Sequence, residues 1–140
     1  MRLRIVCVAV SLGLAGCASP PSSTVAPTET AIPIVLRAAP PDLGCDAVGV
    51  PYEQVRFRID ATAEEQVLAV ADTGAVLRTF WSLGFLAGSS AEPAVRDPAG
   101  QLVVADGDVL VIPDRAWPRL HGHFVCPSID ALYVFLRDPS

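Results

Sequence analysis

The chain has 140 residues and a formal net charge of −5, with all ten basic residues arginine. An acidic balance of this kind excludes a polybasic grip on phosphates, so no nucleic acid partner is expected. The length allows one hydrophobic core after any targeting segment, and no more.

The first element is a leader. Arg2 and Arg4 precede an apolar run from Ile5 to Ala15, and Leu14-Ala15-Gly16-Cys17 closes it. Charge, then an apolar stretch, then small residues is the order of a secretory signal, and the run is well short of the ~20 residues needed to span a bilayer. Small side chains at Ala15 and Gly16 let the backbone enter a narrow peptidase groove. Leu14 fits the apolar pocket before them. Cys7 is a poor competitor, because bulky Val6 precedes it. The segment resembles the lipobox of bacterial lipoproteins. That resemblance implies removal of residues 1–16 between Gly16 and Cys17, and a diacylglycerol on the Cys17 thiol. Each buried methylene then contributes roughly 0.8 kcal/mol to anchoring. Loss of Arg2 and Arg4 takes the formal charge from −5 to −7. The expected location is the cell envelope, with the domain extracytoplasmic, in the periplasm or at the cell surface.

Residues 17–42 read as a tether. Pro20, Pro21, Pro27, Pro33, Pro40 and Pro41 lie among Ser and Thr, a composition too poor in apolar surface to offset ordering entropy. Ile32, Ile34, Val35 and Leu36 leave open an additional strand on the domain. Residues 43–140 form the domain itself. With Cys7 leaving in the signal and Cys17 lipidated, Cys45 and Cys126 remain as an even pair in an exported domain, and the expectation is a disulfide.

The domain reads as short strands between turn signals. Val55-Arg56-Phe57-Arg58-Ile59 alternates at period two, with Val55, Phe57 and Ile59 on the inner face. Thr62-Ala63-Glu64-Glu65 fits a capping box, and the spacing predicts a single helical turn there, followed by a strand over Val67–Ala71. A longer helix over 61–71 is the alternative. Asp72-Thr73-Gly74 turns the chain into Ala75–Trp81. A flexible loop at Gly88-Ser89-Ser90 follows. Asp97-Pro98-Ala99-Gly100 joins Ala94–Arg96 to Gln101–Ala105, and Asp106-Gly107-Asp108 turns into Val109–Ile112. His123–Cys126 and Ala131–Leu136 are the last strands. The expected fold is all-β: a small antiparallel barrel or sandwich closed by one disulfide, behind a disordered N-terminal tether. A barrel of the oligonucleotide/oligosaccharide-binding type is one candidate.

Three features carry chemistry. His121-Gly122-His123 places two imidazoles on one strand face, half of a Zn or Cu shell that Asp106, Asp108 or Asp114 must complete. Surface histidines at a loop end are the plainer reading. Trp81, Phe85 and Trp117, with Phe80, offer an aromatic surface for a ligand, one of the consecutive Phe80 and Trp81 facing the core; the plainer reading packs both of these under a loop and Trp117 at a barrel end. Catalytic signatures such as Gly-x-Ser-x-Gly or His-Glu-x-x-His do not occur in the chain, so no enzyme activity and no cofactor are expected. In architecture the chain is similar to the membrane-bound inhibitors of c-type lysozyme, lipid-anchored barrels with a disulfide near the domain ends. Their Ser-Gly-x-x-Tyr loop motif does not occur in it. The expectation is a monomeric, non-enzymatic envelope module that binds a protein, glycan or lipid. A metal-binding domain using His121 and His123 is the alternative.

Overall fold

Alternation at period two builds the first strand, β1 (Gln54–Ile59), with Val55, Phe57 and Ile59 buried and Arg56 and Arg58 exposed. In the computed structural model, residues 30–41, 43, 45 and 49–136 are described. The leader, Cys17 and the tether up to residue 29 lie outside the described residues. The strands that follow are β2 (Val67–Ala71), β3 (Val76–Trp81), β4 (Leu86–Ser89), β5 (Glu92–Arg96), β6 (Leu102–Ala105), β7 (Val109–Val111), β8 (Arg119–Leu120), β9 (His123–Pro127) and β10 (Ala131–Phe135). Seven of them form one mixed sheet in the order β7-β1-β2-β3-β10-β9-β8, curled into a nearly closed barrel; β4-β5-β6 form a small second sheet. The fold is all-β, and Cys45 is bonded to Cys126 with their Cα atoms 5.8 Å apart.

The inner faces meet as the alternation demands. Phe57 lies opposite Ala69, and Ala69 opposite Leu77, so large and small side chains interleave across three strands. Phe57, Leu77, Leu132, Val95, Val104 and Val125 are fully buried. The one buried hydroxyl among them is satisfied twice. Thr79 donates to the Val67 carbonyl at 2.8 Å and accepts from the Trp81 indole N–H at 3.0 Å. Among the described residues no buried side-chain polar atom lacks a partner, as a specified core requires.

Four features depart from the sequence reading. The pair β3 and β10 is parallel, whereas an antiparallel sheet was expected. The chain leaves the large sheet after β3 to build the small one, and re-enters at β7 beside β1. It therefore reaches the free side of β3 through a long crossover, which parallel neighbours require. The capping box makes no helical turn. Asp60 takes the Thr62 amide and hydroxyl on its own carboxylate, and its N–H donates to Gln66 O at 2.9 Å, closing a short irregular loop between β1 and β2. Gly88 belongs to a strand, not a flexible loop. A Cβ there would stand 2.2 Å from the Glu92 carbonyl, so glycine is what lets β4 bulge tightly against β5. Last, β8 is a two-residue strand that no periodicity could announce.

Residues 31–39, where the sequence left a strand open, run as a strap along both sheets. Pro33 bridges Ser89 antiparallel, and Ala38 bridges Trp81 in parallel. The bond from Trp81 N to Arg37 O (2.8 Å) and that from Ala39 N to Trp81 O (2.9 Å) extend the barrel sheet where β2 has ended. Ile34 is buried in the core, Val35 N donates to Gln66 Oε1, and the Arg37 guanidinium forks onto the Glu65 carboxylate.

Candidate functional site

The barrel sheet has two edges, β7 and β8, and the connection 112–118 spans the interval between them. Pro113 ends β7, since its ring removes the ladder donor. The segment Asp114-Arg115-Ala116-Trp117 then stays exposed until Pro118, which is buried and accepts from Val125 N. Under this connection lies a cleft of about 360 Å³. Its walls are Val50, Tyr52, Ile112, Trp117, Pro118 and Pro127, and Asp114 and Arg115 stand at it as the charged pair. The volume is at the low end of the ~300–1,000 Å³ typical of small-molecule sites.

The side chains differ in what they have left to offer. Tyr52 is 4% exposed and donates its hydroxyl to the Ser128 carbonyl at 2.6 Å. Burial, with the nearby Asp130 charge, pushes its pKa up to about 12, so it remains a neutral donor. Only its ring is available. Trp117 is 37% exposed, and its ring leans on Phe124 at 5.1 Å and 57°. That contact fixes the indole. Among the described residues, neither Asp114 nor Arg115 has a hydrogen-bond or ion-pair partner. The cleft thus joins a fixed, part-exposed aromatic ring to one unpaired acceptor and one unpaired donor.

The other residues singled out in the sequence are placed elsewhere. Trp81 is 1% and Phe85 8% exposed, and their rings meet edge to face at 5.2 Å. Both are core, so the expected aromatic surface is reduced to Trp117. Phe80, which must point opposite to Trp81, stacks outside on Tyr133 at 5.0 Å. His121 and Gly122 are the two-residue turn between β8 and β9, with φ of 47° and 90°. Two positive φ values are the requirement of a type I′ hairpin turn, so His121 stands where Asn is favoured and Gly122 completes the pair. His121 is exposed there. His123 opens β9 and turns inward, its ring against Phe85 at 5.3 Å and its Nε2 3.3 Å from Asp97 Oδ2.

Asp97 is the carboxylate the sequence reading did not single out as a partner. It starts the β5–β6 turn and accepts from the Ala99 and Gln101 amides on Oδ1, both at 2.9 Å. The Gln101 bond foremost, then His123 and Ala99, hold its carboxyl below the usual carboxylate range against the opposing cost of burial. Of the carboxylates proposed to complete a metal shell, Asp114 stands at the cleft and the other two have tasks in the fold. Asp106 accepts from Ile59 N at 2.7 Å and Asp108 from Ala105 N at 2.8 Å, both serving the turn into β7. Among the described residues, no three His, Cys, Asp or Glu side chains converge.

Comparison with protein families, curated proteins and solved structures returned no match. The cleft therefore stands on its own chemistry.

Proposed function

We propose that this protein is a lipid-anchored, non-catalytic binding module of the bacterial cell envelope, held to a membrane through Cys17 and offering the Trp117 cleft to a ligand. The observation that carries the reading is the cleft itself: a part-exposed indole fixed by Phe124, beside Asp114 and Arg115 without partners among the described residues. A part-exposed Trp lining a cleft is the kind of residue that binding surfaces retain.

Two further observations support it. The Cys45–Cys126 bond suits an oxidising compartment, which is where the leader and Leu14-Ala15-Gly16-Cys17 direct the chain. The non-catalytic reading is supported by His123, whose carboxylate partner Asp97 starts the β5–β6 turn of the small sheet and is itself tied to backbone amides, so the pair links that sheet to β9.

The anchoring is tested by expressing the full chain in a bacterium that processes lipoproteins. Mass spectrometry of the mature N-terminus and partition into a detergent phase are the readouts. The expected result is a diacylglyceryl-modified Cys17 and partition into detergent, with the modification lost in Cys17→Ala. A wild-type protein cut elsewhere and carrying no lipid overturns the anchoring.

A further inference from the structure

We infer that the Trp117 cleft takes a neutral saccharide. This rests on the reading of the cleft as a ligand site and adds the chemical class of its occupant.

Charge makes the first selection. Asp114 and Arg115 are adjacent and line the same cleft, so an anionic ligand drawn to the guanidinium also meets the carboxylate. The formal charge of the whole chain, −5, adds to the cost of bringing in an anion. A cation meets the converse conflict at Arg115. A ligand without net charge escapes both.

Polarity makes the second. An acyl chain gains by removing its methylenes from water, which needs an enclosed apolar cavity. Here the stretch from Pro113 to Trp117 is exposed and includes the two charged residues. The site asks for a ligand with an apolar face and polar edges at once.

A pyranose meets that demand. One face of its ring carries C–H bonds, which cover an indole and meet the negative face of the π-system. Its edge carries hydroxyls, each both donor and acceptor. Ionised Asp114 can only accept, and Arg115 can only donate, so vicinal hydroxyls satisfy the two together through charge-assisted bonds. Tyr52 has its hydroxyl on Ser128 O and contributes ring surface alone. Phe124 holds Trp117 in place before binding, which lowers the ordering cost.

The chain supplies its own reporter. It has two tryptophans, and the Trp81 indole N–H is buried on Thr79 while Trp117 is at the cleft. A chain beginning at Ala18 retains, among the described residues, every strand and core residue, together with both disulfide cysteines, all of which lie after Ala31. Labelled with ¹⁵N, it gives two indole resonances. The probes are maltotriose, cellotriose and tri-N-acetylchitotriose at millimolar concentration, with decaproline and palmitate as competing classes. The expected result is that at least one saccharide moves the Trp117 resonance and leaves Trp81 still. Asp114→Asn weakens that saccharide about tenfold or more, as loss of a hydrogen bond to a charged group implies. An unmoved Trp81 resonance in the variant shows that its fold is intact. A shift with decaproline or palmitate alone overturns the saccharide and leaves the ligand-site reading standing. No shift with any probe overturns both.

Discussion

Two regions of this domain are built from the same kinds of side chain (a Trp, a second aromatic, an Asp and a basic residue) and end in opposite states. One gathers Trp81, Phe85, His123 and Asp97 where the small sheet meets β9. The other gathers Trp117, Tyr52, Asp114 and Arg115 at the interval between β7 and β8. In the first, the indole N–H has Thr79, the imidazole has Asp97, and the carboxylate has two amides besides. In the second only the Tyr52 hydroxyl is engaged, while an aromatic ring and two charges face outward. Residue type alone therefore does not mark a site. What separates structure from recognition here is whether the polar groups have found partners within the fold.

The comparison can be broken by mutation, and the closed region should respond most. Replacing both Cys45 and Cys126 by Ala is expected to cost about 4–5 kcal/mol, the chain-entropy value for a loop this long; urea unfolding measures it, and a change under 1 kcal/mol contradicts the pair's structural weight. Trp81→Ala is expected to cost about 3–5 kcal/mol, whereas Trp117→Ala should cost clearly less, about 1 kcal/mol, on the same assay, because its ring is part-exposed. Equal losses at the two tryptophans would erase the distinction.

Acid sharpens it. Asp97 has a folded pKa below its ordinary 3.8, so its contribution to stability is complete above about pH 4 and is lost as pH falls through the folded value. Asp97→Asn should lower the melting temperature at neutral pH, with the gap to wild type closing in acid. A smaller effect is expected at His121. His121→Val should cost about 1–2 kcal/mol because a β-branched residue resists the left-handed turn, while His121→Asn should be neutral or better by thermal melting.

Local chemistry explains which parts of this were legible in the sequence. The β1 alternation, the turns at 72–74 and 97–100, and the even pair of cysteines each declare themselves within a few residues or by counting. His121 as a surface histidine at a loop end matches the plainer reading, while the type of turn was hidden because His stands in place of the usual Asn. Gly88-Ser89-Ser90 has the composition of a loop, and only the approach of the Glu92 carbonyl explains the glycine. The capping box at Thr62 was local and still misled, since Asp60, two residues earlier, captured the same amide. Nothing local could place Asp97 beside His123, 26 positions away, or set β10 parallel to β3. Burial of Trp81 and exposure of Trp117 were likewise decided by non-local packing.

The strap acquires a mechanical meaning when the chain is considered under load. A pull from the N-terminal side of Ala31 reaches the fold along residues 31–39, where backbone bonds to Gly88, Ser90 and Trp81 and the Arg37–Glu65 pair resist it together. Should those yield, tension reaches Cys45 and crosses the disulfide directly to β9. Once the strap has yielded, strands β1 to β8 lie inside the covalent loop and no longer lie on the covalent path of the load. Tension on the chain before Ala31 can strip the strap without paying out the barrel, and the Trp117 cleft, walled mainly by segments within that loop, keeps its shape while the strap is stretched.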